Sequence, residues 1–178
     1  MSKSKSKHTV NYYWDACVFL AGITGEANRL PVVESLLQKC ENEDIYIHTS
    51  ILSLVEVAFS RNEKDFRQQD PKIEEAINDL WAPASKIRIV EFYDLLAIRA
   101  KTLMREVMEK GWMIKPADAI HLVTAQSVGV DEFHTYDKSV INKHKDDLGD
   151  ILGFLITEPH KEPSLFDELH GPQEQKEE

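Results

Sequence analysis

The chain has 178 residues, 42% of them hydrophobic, enough for one globular domain with its own core. No apolar run reaches the roughly 18 residues of a membrane helix, the basic start MSKSKSK leads into a polar segment rather than a signal sequence, and two cysteines build no disulfide framework, so a cytoplasmic protein is expected. The net charge of −10 excludes a generic nucleic-acid binder, which would be basic, unless the acids are gathered at a site where cations neutralise them.

Residues 1–8 are expected to be disordered. From Val10 to Trp14 the residues are β-branched and aromatic, which predicts a strand. Asp15 ends it. A charge at the end of a buried strand is costly unless partnered; its plain role is that of a surface carboxylate capping the next helix. The apolar segment Ala16 to Leu20 runs into a loop marked by Gly22 and Gly25. A helix is predicted over 28–41, with Val33, Leu36, Leu37 and Cys40 on one face. Ile45 to His48 reads as a strand, and Thr49 or Ser50 is placed to cap a helix carrying Ile51 to Phe59. Glu56 stands inside that apolar run, either on a wet face beside Ser53 and Ser60 or as a ligand in a metal site.

The polar stretch 61–69 carries Arg61, Lys64 and Arg67, which suit RNA phosphates; their plainer reading is a solvated helix face. Asp70-Pro71 opens a helix, Ala82-Pro83 breaks it, and Ile87 to Val90 alternates as a strand. A long helix comes next over 93–110, stopped by Gly111. Pro116 starts another, with Asp118 just inside it, and Ser127 to Val130 closes it. His121 lies three residues on, within reach of a metal or substrate, but reads more plainly as a hydrogen-bonded core histidine. Glu132 to Tyr136 is a predicted strand with Asp137 directly after it. A short helix over 138–143 and a buried strand over 151–156 complete the pattern. The three tryptophans stand beside apolar runs and are assigned to the core. The tail from 158 is Pro-, Glu- and Gln-rich and expected to be disordered. Alternating strands and helices predict an α/β fold with a mainly parallel sheet.

Four acids, Asp15, Glu56, Asp118 and Asp137, fall at or near element ends. Sheet ligands bind at the carboxyl ends of parallel strands. The segments YYWDACVFL, SILSLVEVAF, KPADAIHLVTA and FHTYD, in this order, resemble the PIN domain, the nuclease fold of VapC-type toxins and of RNA-processing endonucleases. The resemblance implies a three-layer α/β/α sandwich over 9–157 and a pocket in which Asp15, Glu56, Asp118 and Asp137 hold Mg²⁺ or Mn²⁺. It implies a metal-dependent endoribonuclease leaving 5′-phosphate and 3′-hydroxyl ends. Thr135 matches the hydroxyl position of a T-x-D motif, and Cys17 stands where the family more often has Ser or Asn. It further implies an RNA substrate, a homodimer, and an antitoxin partner inserting near the pocket. Carboxylates alone, without imidazole, suit these hard cations. Two other readings differ in class. A non-catalytic scaffold binding RNA or protein would be expected to lack one of the four acids. An aspartyl-phosphate protein would need paired acids that Asp15-Ala16-Cys17 does not supply.

Overall fold

A computed structural model describes residues 9–161. In chain order the elements are β1 (Val10–Trp14), α1 (Ala16–Ile23), α2 (Leu30–Glu41), β2 (Ile45–Ser50), α3 (Leu52–Glu56), α4 (Arg61–Phe66) and α5 (Pro71–Leu80). Then come β3 (Arg88–Val90), α6 (Asp94–Glu109), α7 (Pro116–Val128), β4 (Glu132–His134), α8 (Val140–Lys143), α9 (Lys145–Leu152) and β5 (Leu155–Thr157). The strands form one parallel sheet in the order β3-β2-β1-β4-β5. A central parallel strand is buried on both faces, which is why β1 reads as nearly unbroken apolar and aromatic sequence.

Alternation along β1 divides the core. Tyr12 and Trp14 face α1 and α2, packing with Phe19, Val33 and Leu36. Tyr13 faces the other layer, with Leu103, Leu122 and Phe133. The result is the three-layer α/β/α sandwich expected. The chain starts mid-sheet, builds outward through β2 and β3, then returns to the other side of β1 with β4. That reversal opens a crevice at the carboxyl ends of β1 and β4. Trp14 is in register with His134, so Asp15 and Thr135 leave the sheet side by side.

Several boundaries differ from the sequence expectation. The apolar segment after Asp15 is a helix, not a continuation into a loop, because Asp15 caps it. β2 runs to Ser50, whose Oγ accepts from Leu52 N at 3.2 Å, leaving only a five-residue α3. β4 stops at His134. The strand expected over 151–156 is corrected most: Ile151 and Leu152 are the last turn of α9, Gly153 caps it in the left-handed region at φ 84°, and β5 begins at Leu155. A short apolar run does not by itself distinguish strand from buried helix. Leu148, three residues before Ile151, carries the helical period. The tail expected from 158 begins packed, with Pro159 buried and the His160 ring against that of His134 at 5.7 Å. The rest of it, and residues 1–8, lie outside the described residues. No helix among the described residues is long and apolar enough to cross a membrane.

Candidate active site at the carboxyl ends of β1 and β4

Asp15 is 8% exposed and N-caps α1: its Oδ1 accepts from Cys17 N at 3.1 Å and from Cys17 Sγ at 2.8 Å. Burial pushes its carboxyl pKa up, against hydrogen bonds from Cys17 and Thr135 that favour the carboxylate. The Cys17 thiol is itself raised, by burial first and by the charge of Asp15. It therefore stays a thiol and a donor, not a thiolate ligand. Its sulfur accepts from Tyr136 N at 3.0 Å and lies 3.4 Å from Thr135 Oγ1, stitching the end of β1 to the end of β4. Thr135 Oγ1 accepts from Asp137 N at 3.0 Å. Asp137 accepts from Ser139 N at 2.9 Å and from Ser139 Oγ at 2.6 Å, closing the turn into α8.

The other two acids come from helices. Asp118 sits in the first turn of α7, which Pro116 pre-sets. Its carboxyl is raised by burial and further by the negative charge of Asp137, against a backbone hydrogen bond at Lys115. Glu56 ends α3, and its Oε2 lies 2.6 Å from His121 Nε2 on α7. All four acids line one cleft of about 400 Å³, together with Lys64 and His121.

The three basic candidates separate. Lys64 reaches the acidic cleft. Arg67 lines an adjoining groove of about 350 Å³ that shares Lys64 and includes Phe59. Arg61 has a side chain 92% exposed and pairs with Asp65 at 3.7 Å, so it is the solvated helix face. Trp14 is fully buried as expected, and Trp112 stacks on His144 at 4.0 Å. Sequence reading missed Ser139 and Tyr13. Ser139 was legible, since an Asp two residues before a Ser is a local turn pattern. Tyr13 was not, because its partners are 37 and 108 residues away.

The donor set fits a hard divalent cation: four carboxylates, two of them raised, with mutual repulsion already acting between Asp118 and Asp137. No three of the four carboxylates bring ligating oxygens within 4.8 Å of one another. Asp15, Glu56 and Asp137 are each drawn to a different neighbour, Cys17, His121 and Ser139. Among the described residues the one trio of ligating atoms within 4.8 Å of each other is elsewhere, at Glu132, His134 and His160. That trio is not a ligand set. Trp14 Nε1, a donor only, gives its hydrogen to His134 Nδ1 at 3.1 Å. The neutral ring then carries its hydrogen on Nε2, which donates to Glu132 at 2.9 Å and has no lone pair to offer.

The PIN domain family model matches residues 12–145. Solved structures share the fold at low identity. VapBC2 from Rickettsia felis, bound to a promoter DNA fragment, is 17% identical with a TM-score of 0.57, over 84% of this chain and 98% of that one. FitAcB from Neisseria gonorrhoeae is 16% identical with a TM-score of 0.54, over 83% and 97%. VapC20 from Mycobacterium tuberculosis, a toxin that cleaves the sarcin-ricin loop, is 13% identical with a TM-score of 0.52, over 72% and 91%. No curated protein sequence matches significantly. The family match covers well over half of the chain, from within β1 past Asp137, and this chain belongs to the PIN domain family.

Proposed function

We propose that this protein is a metal-dependent endoribonuclease acting in the cytoplasm, the toxin of a toxin–antitoxin pair. The observation that carries the reading is the meeting of Asp15, Glu56, Asp118 and Asp137, from four separate places in the chain, in one cleft of a PIN domain. Mg²⁺ or Mn²⁺ bound there would supply an activated water at neutral pH and polarise the scissile phosphate. The four acids offer the hard oxygens. Thr135 and Cys17 hold Asp15 and the start of the Asp137 turn in place. Lys64 at the cleft and Arg67 in the adjoining groove offer cations to the RNA backbone on either side of the cut.

The VapBC2 neighbour, solved as a complex on its promoter DNA, supports an antitoxin partner for this chain too. Val55 lines the acidic cleft and Phe66 lies on α4; they are 73% and 78% exposed, apolar surface that a protein partner would cover. A second exposed apolar group, Leu95 and Ile98 one turn apart on α6, suits the pairing of two copies.

The test is cleavage of RNA by the purified chain with Mn²⁺, with EDTA, and with Asp118→Asn. Cleavage is expected only for the wild type with metal, leaving 5′-phosphate and 3′-hydroxyl ends. Metal binding without cleavage of any RNA would favour a scaffold that binds RNA or protein. No metal binding would sink the four-acid pocket.

A further inference from the structure

We propose that His121 is a positioning residue for Glu56: Tyr13 holds its ring in one tautomer, and the ring donates the hydrogen bond that fixes the Glu56 carboxylate in the cleft. The proposal rests on the reading of the four acids as a metal site, and it makes His121 neither a ligand nor a proton carrier.

The hydrogens run in one direction along a buried chain of groups. Ser50 N lies 2.9 Å from the hydroxyl oxygen of Tyr13. A backbone N–H only donates, so the tyrosine oxygen accepts there. Tyr13 is fully buried, so its hydroxyl has one hydrogen to place inside the protein. That proton has His121 Nδ1 in reach at 2.7 Å. With the hydroxyl donating to it, Nδ1 is an acceptor; the ring hydrogen then sits on Nε2, which is what the Glu56 carboxylate, an acceptor only, calls for. Nε2 lies 2.6 Å from Glu56 Oε2. Both ring nitrogens are spent, which leaves no lone pair for a cation.

Glu56 needs such a partner. It is the last residue of a helix only five residues long, and its carboxylate has no other hydrogen bond among the described residues. A glutamate has several rotatable bonds to order, and an ordered carboxylate ligand is worth most when its geometry is set in advance. His121 supplies the restraint from α7, one turn after Asp118. The chain Ser50–Tyr13–His121–Glu56 thus ties the ends of β2 and α3 to β1 and α7, so that Glu56 and Asp118 are set by one rigid unit.

Two measurements on the full chain test this. The first is a long-range ¹H–¹⁵N correlation spectrum of protein labelled at histidine, without metal, with His121 assigned by its loss in His121→Gln. An unprotonated Nδ1 with a protonated Nε2 is expected. A ring protonated on Nδ1, or on both nitrogens, would overturn the proposal. The second is Mn²⁺ affinity by calorimetry. His121→Leu should weaken binding about 10- to 100-fold. His121→Gln, which keeps an N–H near the Nε2 position, should recover most of that loss, and Tyr13→Phe should fall between. If His121→Gln binds as weakly as His121→Leu, or His121→Leu binds as tightly as wild type, the positioning role is wrong. Should His121→Leu fail to fold, Tyr13→Phe against His121→Gln decides the same question. Absence of Mn²⁺ binding by the wild type would overturn the metal site itself, and the ring spectrum would still decide the tautomer.

Discussion

His48 lies on β2 facing the α7 layer, beside Arg88 and 3.2 Å from Asn11 Oδ1. Burial, and then the positive charge of Arg88, pushes its pKa down to about 4. In the unfolded chain it returns to an ordinary value near 6.5. Between these two values the unfolded chain binds a proton that the folded one refuses, so stability falls as pH drops through that window. The full effect is at most about 3 kcal/mol at about 1.4 kcal/mol per unit. His48→Gln keeps an N–H for Asn11 and does not titrate. Urea unfolding of wild type and variant at pH 7 and pH 4.5 should show the wild type losing about 2 kcal/mol more than the variant. Equal losses would mean that His48 is not buried as described. At this scale the acids were legible in the sequence by type and place, and so was the short-range holding of Asp137 by Ser139. The pairing of Glu56 with His121, 65 residues apart, was not, because each residue alone reads equally well as an ordinary wet or core side chain.

Among the elements, α7 does most to form the site. Its Pro116 start places Asp118, and its end at Gly129 turns the chain into β4 and so toward Asp137. Gly129 has φ 66°, a left-handed conformation that costs an alanine about 1 kcal/mol, while an added Cβ would meet nothing within 4 Å. Gly129→Ala should therefore lower stability by about 1 kcal/mol in chemical denaturation, through the backbone alone. A loss several times larger would point to a displaced β4. Both ends of α7 were legible because caps are local chemistry. The boundary between α9 and β5 was not: the five apolar residues around Gly153 satisfy either period by themselves, and their packing against Phe133 and the α7 layer selects a helical turn, a glycine cap and a three-residue strand.

For the molecule as a whole, folding gathers negative charge into one crevice of a protein that already carries −10. A cation bound only by the folded state should then stabilise it by mass action, about 2.7 kcal/mol at a hundredfold excess over its dissociation constant. Thermal unfolding with Mn²⁺ should show a concentration-dependent rise in Tm that EDTA reverses and Asp118→Asn largely abolishes. A rise that persists in Asp118→Asn would place the cation elsewhere on the surface. The sequence by itself determined the α/β class, the strand cores and the four acids with their order, because period, caps and element ends are properties of neighbouring residues. Tertiary structure alone decided that β4 returns beside β1, that the acids therefore share one crevice, and that Tyr13 and His121 stand behind Glu56. Those facts depend on which strands pair and which helix faces meet, and no local pattern of residues carries them.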